Sequence, residues 1–182
     1  FMVASLAYPL LSEEPTRNGE WGCFRGENGS GSIPTCDVPL PWSPTDVVWE
    51  LSLPGKGNAS PVMWGELAIV SSAETENGQQ HLYAIELSTG QIKWHKLYPS
   101  RSYPIHARSS FASSTPCVTE TAIYFGWANP AGLALVALRH DGSQLWERNL
   151  GTYVSQHGFA CSPVLFGKTL ILVDSQDALE LP

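Results

Sequence analysis

Ala84-Ile85-Glu86-Leu87-Ser88-Thr89-Gly90-Gln91-Ile92-Lys93-Trp94 and Ala137-Leu138-Arg139-His140-Asp141-Gly142-Ser143-Gln144-Leu145-Trp146 are two versions of one pattern: a small residue, a glycine-bearing turn, a closing tryptophan. Thr89-Gly90 and Asp141-Gly142 fall between short runs rich in β-branched and apolar residues. Glycine there can take the φ > 0 backbone that a tight hairpin requires. Each stretch therefore reads as strand, hairpin, strand.

The resemblance extends outward from this core. Ser60-Pro61-Val62-Met63-Trp64-Gly65-Glu66-Leu67-Ala68-Ile69-Val70 precedes the first stretch, and Thr115-Pro116-Cys117-Val118 leads through Ala122-Ile123-Tyr124-Phe125-Gly126 to the second. A third unit opens with Ser162-Pro163-Val164-Leu165-Phe166-Gly167-Lys168-Thr169-Leu170-Ile171-Leu172-Val173. Pro61, Pro116 and Pro163 are 55 and 47 residues apart, and Trp49, Trp94 and Trp146 are 45 and 52 apart. Four short strands with their turns need about 45–50 residues, the period of a propeller blade. The expected fold is all-β, a β-propeller of four-stranded antiparallel blades, present as an incomplete portion of about three blades. Propellers close with four to eight blades, and an open one leaves long unpaired edges.

The pattern Ala-x-Glu/Arg-(x)-x-Thr/Asp-Gly-x-x-x-Trp resembles the tryptophan-docking motif of pyrroloquinoline-quinone-type propeller repeats. The resemblance implies that Trp94 and Trp146 lie flat between neighbouring blades over the small side chains of Ala84 and Ala137, with Gly90 and Gly142 in the turns. An indole buries a large flat area, and a small residue leaves room for it. Two departures are visible: Glu86 and Arg139 replace the family's aspartate, and the second unit is one residue shorter. Docking with altered hydrogen bonds is the expectation. Trp21-x-x-Phe24-Arg25-Gly26-x-Asn28-Gly29-x-Gly31, with Trp42 and Trp49 after it, is similar to the start of exported bacterial members of this repeat superfamily, planctomycete-like ones among them.

Composition fits this picture. Apolar residues make up 43% of the 182 and charged residues 15%; 14 prolines, 16 glycines and 7 tryptophans favour turns and short strands over long helices. The net charge of −7, with no Lys/Arg cluster, excludes a nucleic acid partner and an anionic membrane surface. The apolar run 1–11 reads as a signal-peptide remnant, with Ser5-Leu6-Ala7 offering small residues two apart for cleavage, so the protein is expected to be periplasmic or otherwise exported. It is too short for a transmembrane helix, and no other segment comes close. Residues 12–46 form an N-terminal segment and connector, and 47–182 the partial propeller. Cys23, Cys36, Cys117 and Cys161 have no zinc or thioredoxin-like spacing; a Cys23–Cys36 disulfide and buried free thiols are both open.

Catalytic and cofactor-binding residues are not expected. The quinone dehydrogenases that share these repeats use two adjacent cysteines and a calcium site, and this chain has no adjacent cysteine pair. Asp174 and Asp177 fall short of the six to eight oxygen ligands of Ca²⁺. The five histidines have no metal-ligand spacing, and neither a phosphate loop around Gly55-Lys56-Gly57 nor a Gly-x-Ser-x-Gly elbow is complete. Asn28 and Asn58 satisfy a glycosylation sequon. Arg101, Tyr103, His106 and Arg108 form one basic aromatic loop in an acidic chain, placed where propellers gather binding residues. The function expected is a non-catalytic binding or scaffold module for a protein or polysaccharide partner, with no cofactor. The alternative is a pyrroloquinoline-quinone-dependent alcohol or sugar dehydrogenase whose cofactor site lies in blades outside this sequence.

Overall fold

The computed structural model describes residues 2–7, 20–26, 29–32 and 41–177. Its strands are β1 (Met2–Ala7), β2 (Val62–Trp64), β3 (Leu67–Ala73), β4 (Gln80–Glu86), β5 (Ile92–Tyr98), β6 (Cys117–Val118), β7 (Ile123–Asn129), β8 (Gly132–Leu138), β9 (Gln144–Asn149), β10 (Val164–Phe166) and β11 (Thr169–Asp174). The helical structure among the described residues is short 3-10 turns such as Pro44–Asp46, and no described helix is long and apolar enough to cross a membrane.

Two four-stranded antiparallel sheets follow chain order, β2-β3-β4-β5 and β6-β7-β8-β9, and a third contains β1-β11-β10. The architecture is that of consecutive propeller blades in an unclosed array. Met2–Ala7, within the stretch read as a leader remnant, pairs antiparallel with β11 from Met2↔Asp174 to Ala7↔Thr169; residues 1 and 8–11 lie outside the described residues.

Strands buried on both faces read as nearly continuous apolar runs, because each face meets a neighbouring layer. In β4, Leu82 and Ala84 face one core while Tyr83 and Ile85 face another. In β7, Ile123, Phe125 and Trp127 meet the first sheet across that first core, and Tyr124 and Ala128 turn to the next core beside Leu170 and Leu172 of β11. Alternating side chains thus glue sheet to sheet, and this accounts for the lack of a polar face in the sequence of either strand.

The N-terminal segment joins in close to β2 and β6. The backbone of Trp21 pairs with Met63 through bonds of 3.1 and 2.8 Å, and the Val118 N–H donates to the Gly22 carbonyl at 2.6 Å. A Cβ on Gly22 would stand 2.5 Å from the Val118 carbonyl oxygen, so this bridge between two sheets needs glycine. Cys23 carries a free, half-buried thiol that donates to the Gly26 carbonyl, 3.0 Å away, and burial raises its pKa. Cys36, with which a disulfide was one of two open readings, lies outside the described residues, as does Asn28.

Candidate functional site

Trp94 belongs to β5, where its cross-strand partner is Ala84, fully buried in the same sheet. Across the gap, its indole N–H donates to the His140 carbonyl of the second sheet at 2.7 Å. A Cβ on Gly142, whose φ is +83°, would lie 3.0 Å from the indole Cδ2. Ala84 and Gly142 therefore come to the same ring from opposite sheets. Trp49, which the sequence reading counted in the tryptophan period but gave no docking turn, makes the same contact one unit earlier. Its N–H donates to the Leu87 carbonyl at 2.6 Å, and a Cβ on Gly90 (φ +71°) would lie 2.6 Å from its Cδ2. Trp146 pairs with Ala137 in β9 and β8, half-buried against Tyr124 with ring centroids 6.0 Å apart. Glu86, one of the departures from the repeat pattern, forms local contacts, accepting from Lys93 and Thr89 at 2.8 and 2.6 Å, and in the second turn Asp141 accepts the Ser143 N–H at 2.8 Å. These bonds hold both carboxyls below their usual range, Lys93 contributing most for Glu86 and Ser143 for Asp141.

The Ser/Thr-Pro steps carry a second contact between units that spacing alone did not reveal. The Ser60 N–H donates to the Thr115 hydroxyl at 3.0 Å, and the Thr115 N–H donates to the Ser162 hydroxyl, also at 3.0 Å. Each hydroxyl before a proline thus accepts from the equivalent residue of the preceding unit.

The loops between β5 and β6 and between β9 and β10 contribute most of the lining of two clefts, of about 530 and 640 Å³. Tyr103, Ile105 and His106 line both, so the clefts adjoin along one loop, and the pair is called the trough below. Arg108 and Lys56 line the first; His157, Tyr153 and Asp177 line the second. Arg101, expected beside them, lies outside both clefts, with its backbone against Gly78.

The two loops are variations of each other. Tyr103-x-x-His106 is followed by Phe111-Ala112, and Tyr153-x-x-x-His157 by Phe159-Ala160. In each the tyrosine packs on the phenylalanine, with centroids 5.1 and 5.5 Å apart, and the two histidine rings meet at 5.7 Å. Asn58, on the wall of the first cleft, braces the loop: its side-chain amide donates to the Arg108 carbonyl at 3.1 Å, and its backbone N–H to the Ala112 carbonyl at 2.9 Å. Within the loop the Arg108 N–H donates to His106 Nδ1 at 3.2 Å, which leaves Nε2 to carry the hydrogen of a neutral ring. Burial, with Tyr153 nearby, pushes the Tyr103 phenol up to about 12. Asp177 accepts the Gln156 N–H at 2.6 Å, and its own N–H donates to Val154.

A second polar cluster sits on β4 and β5. His81 Nδ1 is 2.9 Å from His95 Nε2 and 3.0 Å from the Tyr83 hydroxyl, while His81 Nε2 lies 3.4 Å from Glu74. Burial, followed by the proximity of His81, lowers the His95 pKa. Among the described residues no three His, Cys, Asp or Glu side chains are placed to hold a metal ion.

Four-stranded sheets in series, locked by an indole from one unit on a glycine turn of the next, define a propeller of pyrroloquinoline-quinone-like repeats. The profile of the family described as outer membrane protein assembly factor BamB matches residues 42–173, and the chain belongs to that family. Among solved structures, BamB from Moraxella catarrhalis is similar at 16% identity and a TM-score of 0.48, over 67% of this chain and 35% of that one. The chain thus spans about a third of that protein's length. No curated protein matches it.

Proposed function

We propose that the chain is part of an exported, non-catalytic propeller that presents the trough around Tyr103, His106 and Arg108 to a protein or polysaccharide of the cell envelope. The observation that carries this reading is a pair of repeated loops, braced by Asn58 and by tyrosine–phenylalanine packing, that hold polar side chains around a preformed recess. Preformed recesses with a few fixed polar groups are where ligands bind. The name of the family, an outer membrane assembly factor, supports a periplasmic place of work and a role in bringing partners together.

Hydrogen exchange on the full-length protein, alone and with an envelope extract of its own source, tests the reading. Slowed exchange over 101–110 and 152–158 is the expected result; slowing confined to other surfaces refutes it. Dye-linked alcohol or sugar oxidation after addition of pyrroloquinoline quinone and Ca²⁺ is the complementary assay. Saturable turnover would replace the scaffold reading with a dehydrogenase.

A further inference from the structure

We infer that His81 and His95 form a proton-sharing brace on strand β5, which holds with one extra proton bound and is released by acid when a second is taken up. The two histidines lie on the face of β4 and β5 that carries Tyr83, turned away from the second sheet. Trp94, the indole set against Gly142, leaves β5 on the opposite face. β5 is the edge strand of its sheet, held by β4 on one side. The brace therefore stands behind the strand that docks one unit on the next.

Ring geometry fixes where the proton lies. The His81 and His95 centroids are 5.1 Å apart with planes 3° from parallel, and His81 Nδ1 is 2.9 Å from His95 Nε2. Two imidazole nitrogens come no closer at that centroid separation, so both lie on the line between the rings. The pair meets nitrogen to nitrogen in one plane, an arrangement that needs a hydrogen on one atom and a lone pair on the other. His81 is 6% exposed, and its Nε2 is buried with no hydrogen-bond partner and the Glu74 carboxylate 3.4 Å away. A lone pair there would face a carboxylate, so neutral His81 carries its hydrogen on Nε2. Its Nδ1 then accepts from His95 Nε2–H. The Tyr83 ring lies over His95, with centroids 4.4 Å and planes 8° apart, and its hydroxyl reaches the same Nδ1 at 3.0 Å.

Counting protons turns this contact into a two-step device. One extra proton charges either ring and still leaves a single hydrogen between the facing nitrogens. A second puts a hydrogen on both, and the bond becomes a contact of like charges. The surroundings offset one of those charges. Glu74, at the end of β3, faces His81, while Lys93 and Glu86 are paired with each other at 2.8 Å. Lys56, whose backbone pairs with Ala73 beside Glu74, adds a cation. The stretch across this face brings Trp49, Leu51 and Leu53, with Glu50 exposed between them. Burial and the neighbouring His81 lower the His95 pKa, in keeping with a second proton that is bound reluctantly. His95 is already exposed on the edge strand, so on release it turns to water, uncovers the Tyr83 ring and removes a side-chain tie between β5 and β4.

The test is a pH titration of the full-length protein with isotope-labelled histidine, read by nuclear magnetic resonance, with the contact between the Tyr83 and His95 rings followed alongside. At about pH 8, above the ordinary histidine range, both His81 and His95 should carry their hydrogen on Nε2. The pair should then take up two protons in steps at least about one pH unit apart. The ring contact should survive the first step and vanish with the second, while far-ultraviolet circular dichroism stays native. His95→Gln should reduce the two steps to one, and Glu74→Gln should let the His81 hydrogen populate both nitrogens; cooperative unfolding at about pH 8 certifies that each variant folds. Independent single steps for the two histidines would refute the sharing. Ring separation at the first step, its absence after both, or global unfolding in its place would refute the release. A hydrogen on His81 Nδ1 at the start would overturn the assignment of donor and acceptor.

Discussion

Replacing Trp94 with alanine removes the indole that one sheet sets on the next. Truncation of a buried tryptophan or phenylalanine costs about 3–5 kcal/mol, combining lost transfer free energy with the cavity left behind. Trp94 is half-buried, which places it at the lower end of that range. Its N–H bond to the His140 carbonyl contributes about 1 kcal/mol of the total. The expected loss is therefore about 3 kcal/mol, or a fall of about 6–12 °C in thermal midpoint at this chain length. Trp94→Phe separates the two parts: it retains most of the packing, loses the hydrogen bond and should cost about half as much. Urea unfolding of both variants, followed by far-ultraviolet circular dichroism, gives the comparison. A loss below about 1 kcal/mol for Trp94→Ala would refute the reasoning, since that is no more than an exposed aromatic would contribute.

Three further outcomes follow from the same structure. Thr115→Val should cost about 1–3 kcal/mol because the Ser60 N–H loses its acceptor inside the sheet junction, and Thr115→Ser should restore most of the loss in the same unfolding assay. His95 is held neutral in the folded state by burial and by His81, so its folded pKa is below the unfolded value of about 6.5. The stability tied to it is complete above that value and declines as pH falls below it; between pH 7 and 5 the midpoint of the native protein should drop more steeply than that of His95→Gln. If residues 1–7 are removed as a leader, the intact mass of the exported protein will show Tyr8 as its first residue, after Ser5-Leu6-Ala7. A mass retaining Met2–Ala7 would reject that processing and leave β1 as a strand of the mature fold.

Much of the fold could be read from particular residues. The Pro61, Pro116 and Pro163 spacing located β2, β6 and β10, and the Thr89-Gly90 and Asp141-Gly142 turns separate β4 from β5 and β8 from β9. These are local signals, set by a backbone conformation that few residues tolerate. Trp49 was harder to place because its period matched but the strand-turn pattern before Trp94 and Trp146 has no counterpart before it. Its role depends on Gly90, 41 residues later. The trough was half legible: Tyr103, His106 and Arg108 stood out as a basic aromatic loop, but Tyr153 and His157 did not. The spacing of tyrosine to histidine differs by one between the loops, and the rings meet only once two sheets are stacked. His81 and His95 are 14 apart in sequence and become neighbours through the β4–β5 ladder, a contact that no metal-ligand spacing would flag.

Trp49 on Gly90 and Trp94 on Gly142, with Ser60 to Thr115 and Thr115 to Ser162 beside them, amount to a plug and socket of constant gauge. Each unit carries the plug on its last strand and the socket on the turn just before it. A duplication or deletion of one whole unit, about 50 residues, leaves every remaining plug facing a socket it fits. A cut inside a unit strands one of the pair. The number of units is therefore something a gene can change in a single copying step, with no face to be recut, while each unit brings its own loop to the trough.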